Sequence, residues 1–133
     1  MAQYLLDTNH VSPLVTLSHP LRDKVLTKIR AGDQFGLCVP VIAETLYGIG
    51  IISRANANLR EWERLKPSFA IYGLTDEDAE NAAYLQLLLR RKGWQLQTID
   101  ALIAVTALKY DLILLTTDKD FSRIEGLRFE NWR

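Results

Sequence analysis

Four acidic residues sit where the sequence offers them no partner, and that isolation suggests chemistry rather than solvation. Between Gly36 and Ser53 the only residue charged at neutral pH is Glu44, and between Trp94 and Leu108 the only one is Asp100. Asp7 is the sole charged side chain from Met1 to Asn9, at the end of an apolar run, and Asp118 follows the run Leu112 to Leu115 after two threonines. An ionised carboxylate buried without a partner is costly, so each isolated acid needs a reason. Convergence of all four around a cation explains them together. Hard carboxylate oxygens suit Mg²⁺ or Mn²⁺, and no Cys/His spacing in the chain suits zinc. Each acid also has a structural reading. Asp7 could cap a turn, Asp118 could be a turn residue, and Asp100 could complement a helix dipole. Glu44 resists such a reading, because an isolated acid in an apolar helix is seldom structural.

The elements around these acids must bring them together. Residues 3 to 7 read as a short buried strand ending at Thr8-Asn9-His10. Leu21, Val25 and Ile29 recur at a spacing of four and predict a helix up to Arg30, closed by Gly32-Asp33. Residues 35 to 39 are strand-prone, and Pro40 suits the first turn of a helix reaching Gly48 or Gly50. A second helix is expected from Ala55 to Leu65, ended by Lys66-Pro67, and Ala70 to Tyr72 is a further short strand. Thr75 with Asp78 resembles a capping box for the next helix, whose end Gly93 marks. Residues 98 to 109 form a very apolar, hence central, helix with Thr98 as its expected cap. Leu112 to Leu115 reads as a strand buried in a parallel sheet, and Phe129 to Trp132 as a last edge strand.

Strands alternating with helices predict a three-layer α/β fold with a short, mainly parallel sheet. Asp7 and Asp118 then lie at carboxyl ends of strands, the edge where open α/β sheets form ligand sites. Asp100 sits in the first turn of its helix, facing that edge. Glu44 lies in the second turn of its own helix, on a face with Pro40, Tyr47 and Gly48, and Gly48 would let another segment approach.

Length and composition set bounds on this reading. A chain of 133 residues with 48% hydrophobic and 24% charged content predicts one globular domain over residues 1–133. Its 16 basic and 16 acidic residues cancel, so bulk charge does not argue for a nucleic-acid partner. The single cysteine, Cys38, excludes an internal disulfide and reads as an inert buried thiol in a reducing compartment. No signal peptide or membrane span is expected, which points to the cytoplasm.

Taken in order, "LLDTN" at 5–9, "VIAETLYGI" at 41–49, "IDALIAVTAL" at 99–108 and "LLTTDKDF" at 114–121 resemble the four motifs of the PIN-domain ribonucleases, and most of all the VapC-type toxins. The "GLRFENW" ending at Trp132 is similar to theirs as well. The resemblance implies that Asp7, Glu44, Asp100 and Asp118 form an acidic metal site for Mg²⁺ or Mn²⁺. Thr116 matches the hydroxyl residue that orients such a site, Asn9 the polar position after the first acid, and Asp120 a supporting acid. Cys38 and Pro40 stand where many relatives carry a serine. The implied reaction is in-line attack of water on an RNA phosphodiester, with one or two cations activating the water, leaving 5′-phosphate and 3′-hydroxyl ends. The implied partners are RNA, a cognate antitoxin that blocks the site, and a second copy of the chain, with residues 40 to 66 as the candidate contact region. The Gly48, Ile49, Gly50, Ile51 and Ile52 cluster suits such a contact.

Substrate contacts would fall to basic and aromatic residues. Arg90-Arg91-Lys92, Lys109, Lys119 and Arg123 are candidates for phosphate, and Tyr47, Trp62 and Trp94 for base stacking, although solvation and core packing are the commoner fates of such residues. Metal-free acid–base cleavage by His10 and His19 lacks a third partner. A haloacid-dehalogenase-like phosphatase needs an aspartate where Asn9 stands, and a receiver domain needs an acidic pair ahead of its acceptor. Glycine-rich nucleotide loops are missing. The remaining alternative is a PIN-fold RNA- or protein-binding module without catalysis.

Overall fold

The computed structural model describes residues 1–133. Its core is a five-stranded sheet with strand order β3-β2-β1-β4-β5: β1 (Gln3–Leu6), β2 (Gln34–Cys38), β3 (Ala70–Tyr72), β4 (Ile113–Leu115) and β5 (Phe129–Glu130). All four pairings are parallel, so the sheet is wholly parallel rather than mainly so. The central strand is buried from Tyr4 to Leu6, as expected where helices cover both faces of a parallel sheet. Leu5 and Leu6 are fully buried, and Leu5 registers with Gly36 on one side and Leu114 on the other. Gly36 is required where it stands, since a Cβ there would run into the Tyr72 ring.

Six helices complete the fold: α1 (Thr8–Val11), α2 (Pro20–Arg30), α3 (Val39–Gly50), α4 (Ala55–Leu65), α5 (Asp76–Arg91) and α6 (Thr98–Tyr110). The chain steps from β1 outward to β2 and β3, then crosses back to β4 on the other side of β1. The β1/β4 boundary is therefore the topological switch point. The α6 helix packs against β2 and β4, and Ala101, Ile103, Ala104 and Ala107 are all buried to within 1%. Its apolar character is thus that of a central helix. The capping box of α5 forms as expected: Asp78 N–H donates to Thr75 Oγ1 and Thr75 N–H donates to Asp78 Oδ2. Gly93, at φ +82°, lies just beyond its C-cap.

Two expectations fail locally, and one short element has no signal in the sequence. Thr98 is the first residue of α6 rather than its cap; Gln97 takes the cap position, and Thr98 Oγ1 accepts from Gln86 Nε2 instead. The helix α1 was not foreseen, because its single turn is too short to show a period. The last strand stops at Glu130, because the Trp132 N–H turns to His10 Nε2.

Candidate active site

Asp7 stands one residue past β1 and Asp118 three residues past β4, on adjacent strands at the switch point. Asp100 is in the first turn of α6. These acids meet at one edge. The charge on Asp100 is opposed first by burial and then by Asp7, Asp118, Glu44 and Asp120, which together push its pKa up to about 6. No lysine or arginine forms an ion pair with any of these acids; the chain's four salt bridges engage Glu61, Asp78 and Asp111.

Asp7 is the most enclosed of them, 6% exposed. Its Oδ1 accepts the Thr8 N–H at 2.8 Å, while Oδ2 accepts the Thr116 hydroxyl at 2.7 Å and the Asn9 amide at 3.1 Å. Burial nevertheless raises its pKa, outweighing those three donors, and Glu44 adds to the rise. Thr116 also accepts the Asp118 N–H at 3.0 Å, so a single hydroxyl ties the two strand-end acids together. Asn9 Oδ1 receives the Thr117 N–H at 3.1 Å, which stitches the β1 loop to the β4 loop.

Glu44 reaches this edge from α3, and its placement differs from the expectation of a buried acid: its side chain is exposed and accepts from Thr8 Oγ1 at 2.8 Å. Thr8 thus links Glu44 to Asp7, a role the sequence reading missed although the hydroxyl lies between two singled-out residues. Asp7 and Asp118 also act as the caps that their structural readings foresaw. Asp7 caps α1, and Asp118 accepts the Asp120 N–H at the start of a 3₁₀ turn over Lys119–Arg123. Capping and membership of the cluster coexist. Asp120 is exposed at its rim.

The outer candidates sort less evenly. Arg90, Arg91 and Lys92 are exposed at the end of α5 that meets the start of α6, through Gln86 Nε2 bonded to Leu96 O and Thr98 Oγ1. Lys109 is at the far end of α6, about 14 Å along the axis from Asp100 at helical rise, and pairs with Asp78 at 3.2 Å. It is therefore no phosphate contact beside the acids. Arg123 lies 4.0 Å over the Trp94 ring. Trp62 is 3% exposed and belongs to the core, whereas Tyr47 is 72% exposed. His10 is fully buried and held neutral, its pKa lowered to about 4 by burial, Arg133 and Lys24, and His19 caps α2. Neither histidine is placed for acid–base cleavage. A Cβ at Gly48 would have no neighbour within 4 Å, so no segment of the chain uses the approach this glycine permits. Cys38 is fully buried, its Sγ 3.4 Å from Thr106 Oγ1, with its thiol pKa raised by burial.

Metal fit rests on the donor set. Carboxylate oxygens without basic neighbours are what a hard divalent cation takes. No three acid, histidine or cysteine side chains are disposed to hold one ion by themselves. Mg²⁺ asks for less than such a group, since it keeps several waters and needs only one or two carboxylates.

Comparison with known proteins agrees with the architecture. The PIN domain family model matches residues 4–127, and the chain belongs to that family. Among solved structures, it is similar to VapBC2 from Rickettsia felis bound to a promoter DNA fragment, with a TM-score of 0.85, 23% identity, and 98% of this chain and 99% of that one covered. DNA-bound VapBC from Salmonella typhimurium gives a TM-score of 0.82 at 22% identity, covering 100% of both chains. VapC20 of Mycobacterium tuberculosis, a sarcin-ricin loop cleaving toxin, gives 0.66 at 18% identity, covering 93% of this chain and 95% of that one. No curated protein is matched by this chain. No helix is long and apolar enough to cross a membrane.

Proposed function

We propose that the chain is a metal-dependent endoribonuclease of the VapC toxin type, restrained by a VapB-like antitoxin. One observation carries this reading: several carboxylates share one edge of the sheet with no ion-paired lysine or arginine among them, and burial, then the neighbouring acids, push the Asp100 pKa up to about 6. A fold in need only of stability would have neutralised or dispersed them. Family membership and the likeness to a toxin that cleaves the sarcin-ricin loop support the substrate class.

In this reading Asp7 and Asp100 are the principal ligands of Mg²⁺ or Mn²⁺, with Glu44 reaching the ion through water and Asp118 completing a second site or the outer shell. When bound, such a cation supplies a lowered pKa for water and charge stabilisation at the phosphodiester. Thr116 and Asn9 orient Asp7 by donating to Oδ2. Thr8 restrains Glu44 at the rim, and Asp120 adds negative charge beside it. Arg90, Arg91 and Lys92, at the same end of the molecule, are the candidate phosphate contacts.

Partners follow the same route. A solved relative at TM-score 0.66 is a member of the VapBC family of toxin–antitoxin systems. The exposed Leu46, Tyr47, Ile51 and Ile52 on and just after α3 offer apolar surface for an antitoxin or a second copy of the chain. A cytoplasmic location accords with this role.

The test is cleavage of a mixed RNA pool by the purified chain with Mg²⁺ or Mn²⁺, with EDTA, and with Asp7→Asn. Metal-dependent cutting to 5′-phosphate ends, lost in the variant, is the expected result. Cutting that survives both controls would sink the assignment. RNA binding without cutting would favour a non-catalytic binding module.

A further inference from the structure

His10 has no place in the chemistry described so far, yet it is fully buried and both of its ring nitrogens are engaged. Its Nε2 lies 3.0 Å from the Trp132 backbone nitrogen, and its Nδ1 lies 2.7 Å from Asn9 Oδ1. The direction of every bond in this chain is fixed by its two ends. A backbone N–H can only donate, so Nε2 must accept from Trp132 and the ring proton must sit on Nδ1. That proton is then donated to Asn9 Oδ1, which also takes the Thr117 N–H at 3.1 Å. With its oxygen so occupied, Asn9 can turn only its NH₂ toward Asp7 Oδ2, at 3.1 Å, and toward Thr116 Oγ1, at 3.4 Å. The chain of donors runs one way, from the C-terminal backbone to the carboxylate.

Its outer end is well anchored. The Trp132 ring packs edge-on against Tyr4 at 4.9 Å and Phe35 at 5.8 Å, with Lys24 Nζ 4.2 Å over its face. Arg133 donates to the Asn9 carbonyl at 2.9 Å, so the last two residues hold both the backbone and, through His10, the side chain of Asn9. The depressed basicity of His10 keeps its ring neutral in the working range, preserving Nε2 as an acceptor.

We infer that His10 is a positioning residue: held by the backbone of Trp132, it sets the orientation of the Asn9 amide, so that Asn9 turns its NH₂ and not its oxygen toward Asp7. Were the Asn9 amide reversed, its oxygen would face Asp7 Oδ2 with no donor hydrogen between the two acceptors. The inference rests on the acidic site being a cation site, but the orientation of Asn9 can be read without any cation.

Two substitutions separate positioning from packing. His10→Asn places an amide NH₂ where Nδ1–H stood and keeps the donor to Asn9. His10→Gln places an amide oxygen where Nε2 stood and keeps the Trp132 contact alone. Both leave a similar gap, so both should lower Tm comparably. The measurements are Mn²⁺ affinity by calorimetry, Tm, and the side-chain amide resonances of Asn9 in ¹⁵N-resolved NMR. His10→Gln is expected to weaken Mn²⁺ binding roughly tenfold, the scale for a residue orienting a ligand, with the Asn9 amide losing its protected shift. His10→Asn should keep the wild-type shift and bind within about threefold of wild type. Equal weakening in both variants with unchanged Asn9 resonances would overturn the inference and leave His10 a packing residue. Mn²⁺ binding without RNA cleavage by the wild type would reject the nuclease reading and leave this one standing. No Mn²⁺ binding by the wild type would reject the cation site, and the Asn9 resonances would then decide the role of His10 alone.

Discussion

Asp7 and Asp78 are both almost wholly buried, at 6% and 3% exposure, and both stand at the start of a helix with threonine and backbone partners. Their electrostatics are opposite. Asp78 is held below the ordinary carboxylate range, first by the Thr75 N–H and then by Lys109 and the Thr75 hydroxyl, against the cost of burial. Asp7 has three donors of its own but its pKa is raised, because burial dominates and the charge of Glu44 adds to the rise. At the α5 end the chain supplies the counter-ion itself. At the β1/β4 edge it gathers acids and supplies none. The first arrangement is what stability asks of a buried carboxylate; the second leaves a demand that only something outside the chain can meet.

The largest expected effect sharpens this contrast at Asp7 and Asp100. Asp7→Asn and Asp100→Asn should each lower metal-dependent RNA cleavage by about 10³-fold or more, on the order of 4 kcal/mol in barrier. The same Asp100→Asn change should stabilise the metal-free protein at pH 7.5 by about 1–2 kcal/mol, since it removes a charge that burial and four neighbouring acids oppose. Thermal melts in EDTA check the sign. A destabilised variant would mean that the cluster is a structural network after all.

Thr116 comes next, because its hydroxyl serves both strand-end acids. Thr116→Val keeps the shape and removes the donor to Asp7, and should weaken Mn²⁺ binding and cleavage about 10–30-fold. Calorimetry on the variant would read this directly, and unchanged affinity would separate Thr116 from the site.

Acid titration distinguishes the two regions further. A group whose folded pKa is raised takes up its proton earlier in the native state, so stability grows as pH falls through that value. Asp100, raised to about 6, therefore adds stability between pH 6 and its ordinary range near 4. His10 acts in the opposite direction. Its folded pKa of about 4 lies below its usual 6.5, so the stability of keeping it neutral is lost as pH falls from 6.5 toward 4. Asp78, whose pKa is lowered, holds its stabilisation down to lower pH and loses it as acid titrates the carboxyl. Wild-type Tm should thus change little from pH 6.5 to 4, whereas Asp100→Asn should lose stability steadily over that window. Cation affinity should fall below pH 6, by about tenfold per pH unit if one proton must leave.

Much of this was legible in the residues. The fold class followed from apolar runs such as Leu112 to Leu115 alternating with periodic stretches, because buried parallel strands and amphipathic helices leave different patterns. The acidic cluster was legible because Glu44 and Asp100 are alone in long uncharged segments. Sequence could not say that Glu44 would be exposed, since its isolation marks a helix facing neighbours and not the depth of the side chain. It could not separate Lys109 from the other basic candidates either, because only the pairing of α5 with α6 brings Asp78 within 3.2 Å of it. Thr8 and His10 were hidden for the same reason: their roles depend on partners 36 and 122 residues away in sequence.

The smallest expected effect tests the other half of the comparison. Asp78→Ala removes the carboxylate that completes the α5 capping box and pairs with Lys109. Lys109, already 42% exposed, can turn to water, so the loss is mainly the cap and amounts to about 1 kcal/mol. A domain of this size should then melt about 3–5 °C lower while its metal affinity and cleavage rate stay those of the wild type. Replacing a buried acid at this end costs stability and spares activity, whereas Asp100→Asn should do the reverse. If Asp78→Ala instead weakened Mn²⁺ binding, the two ends of α6 would be coupled and the division between structural and functional acids would not hold.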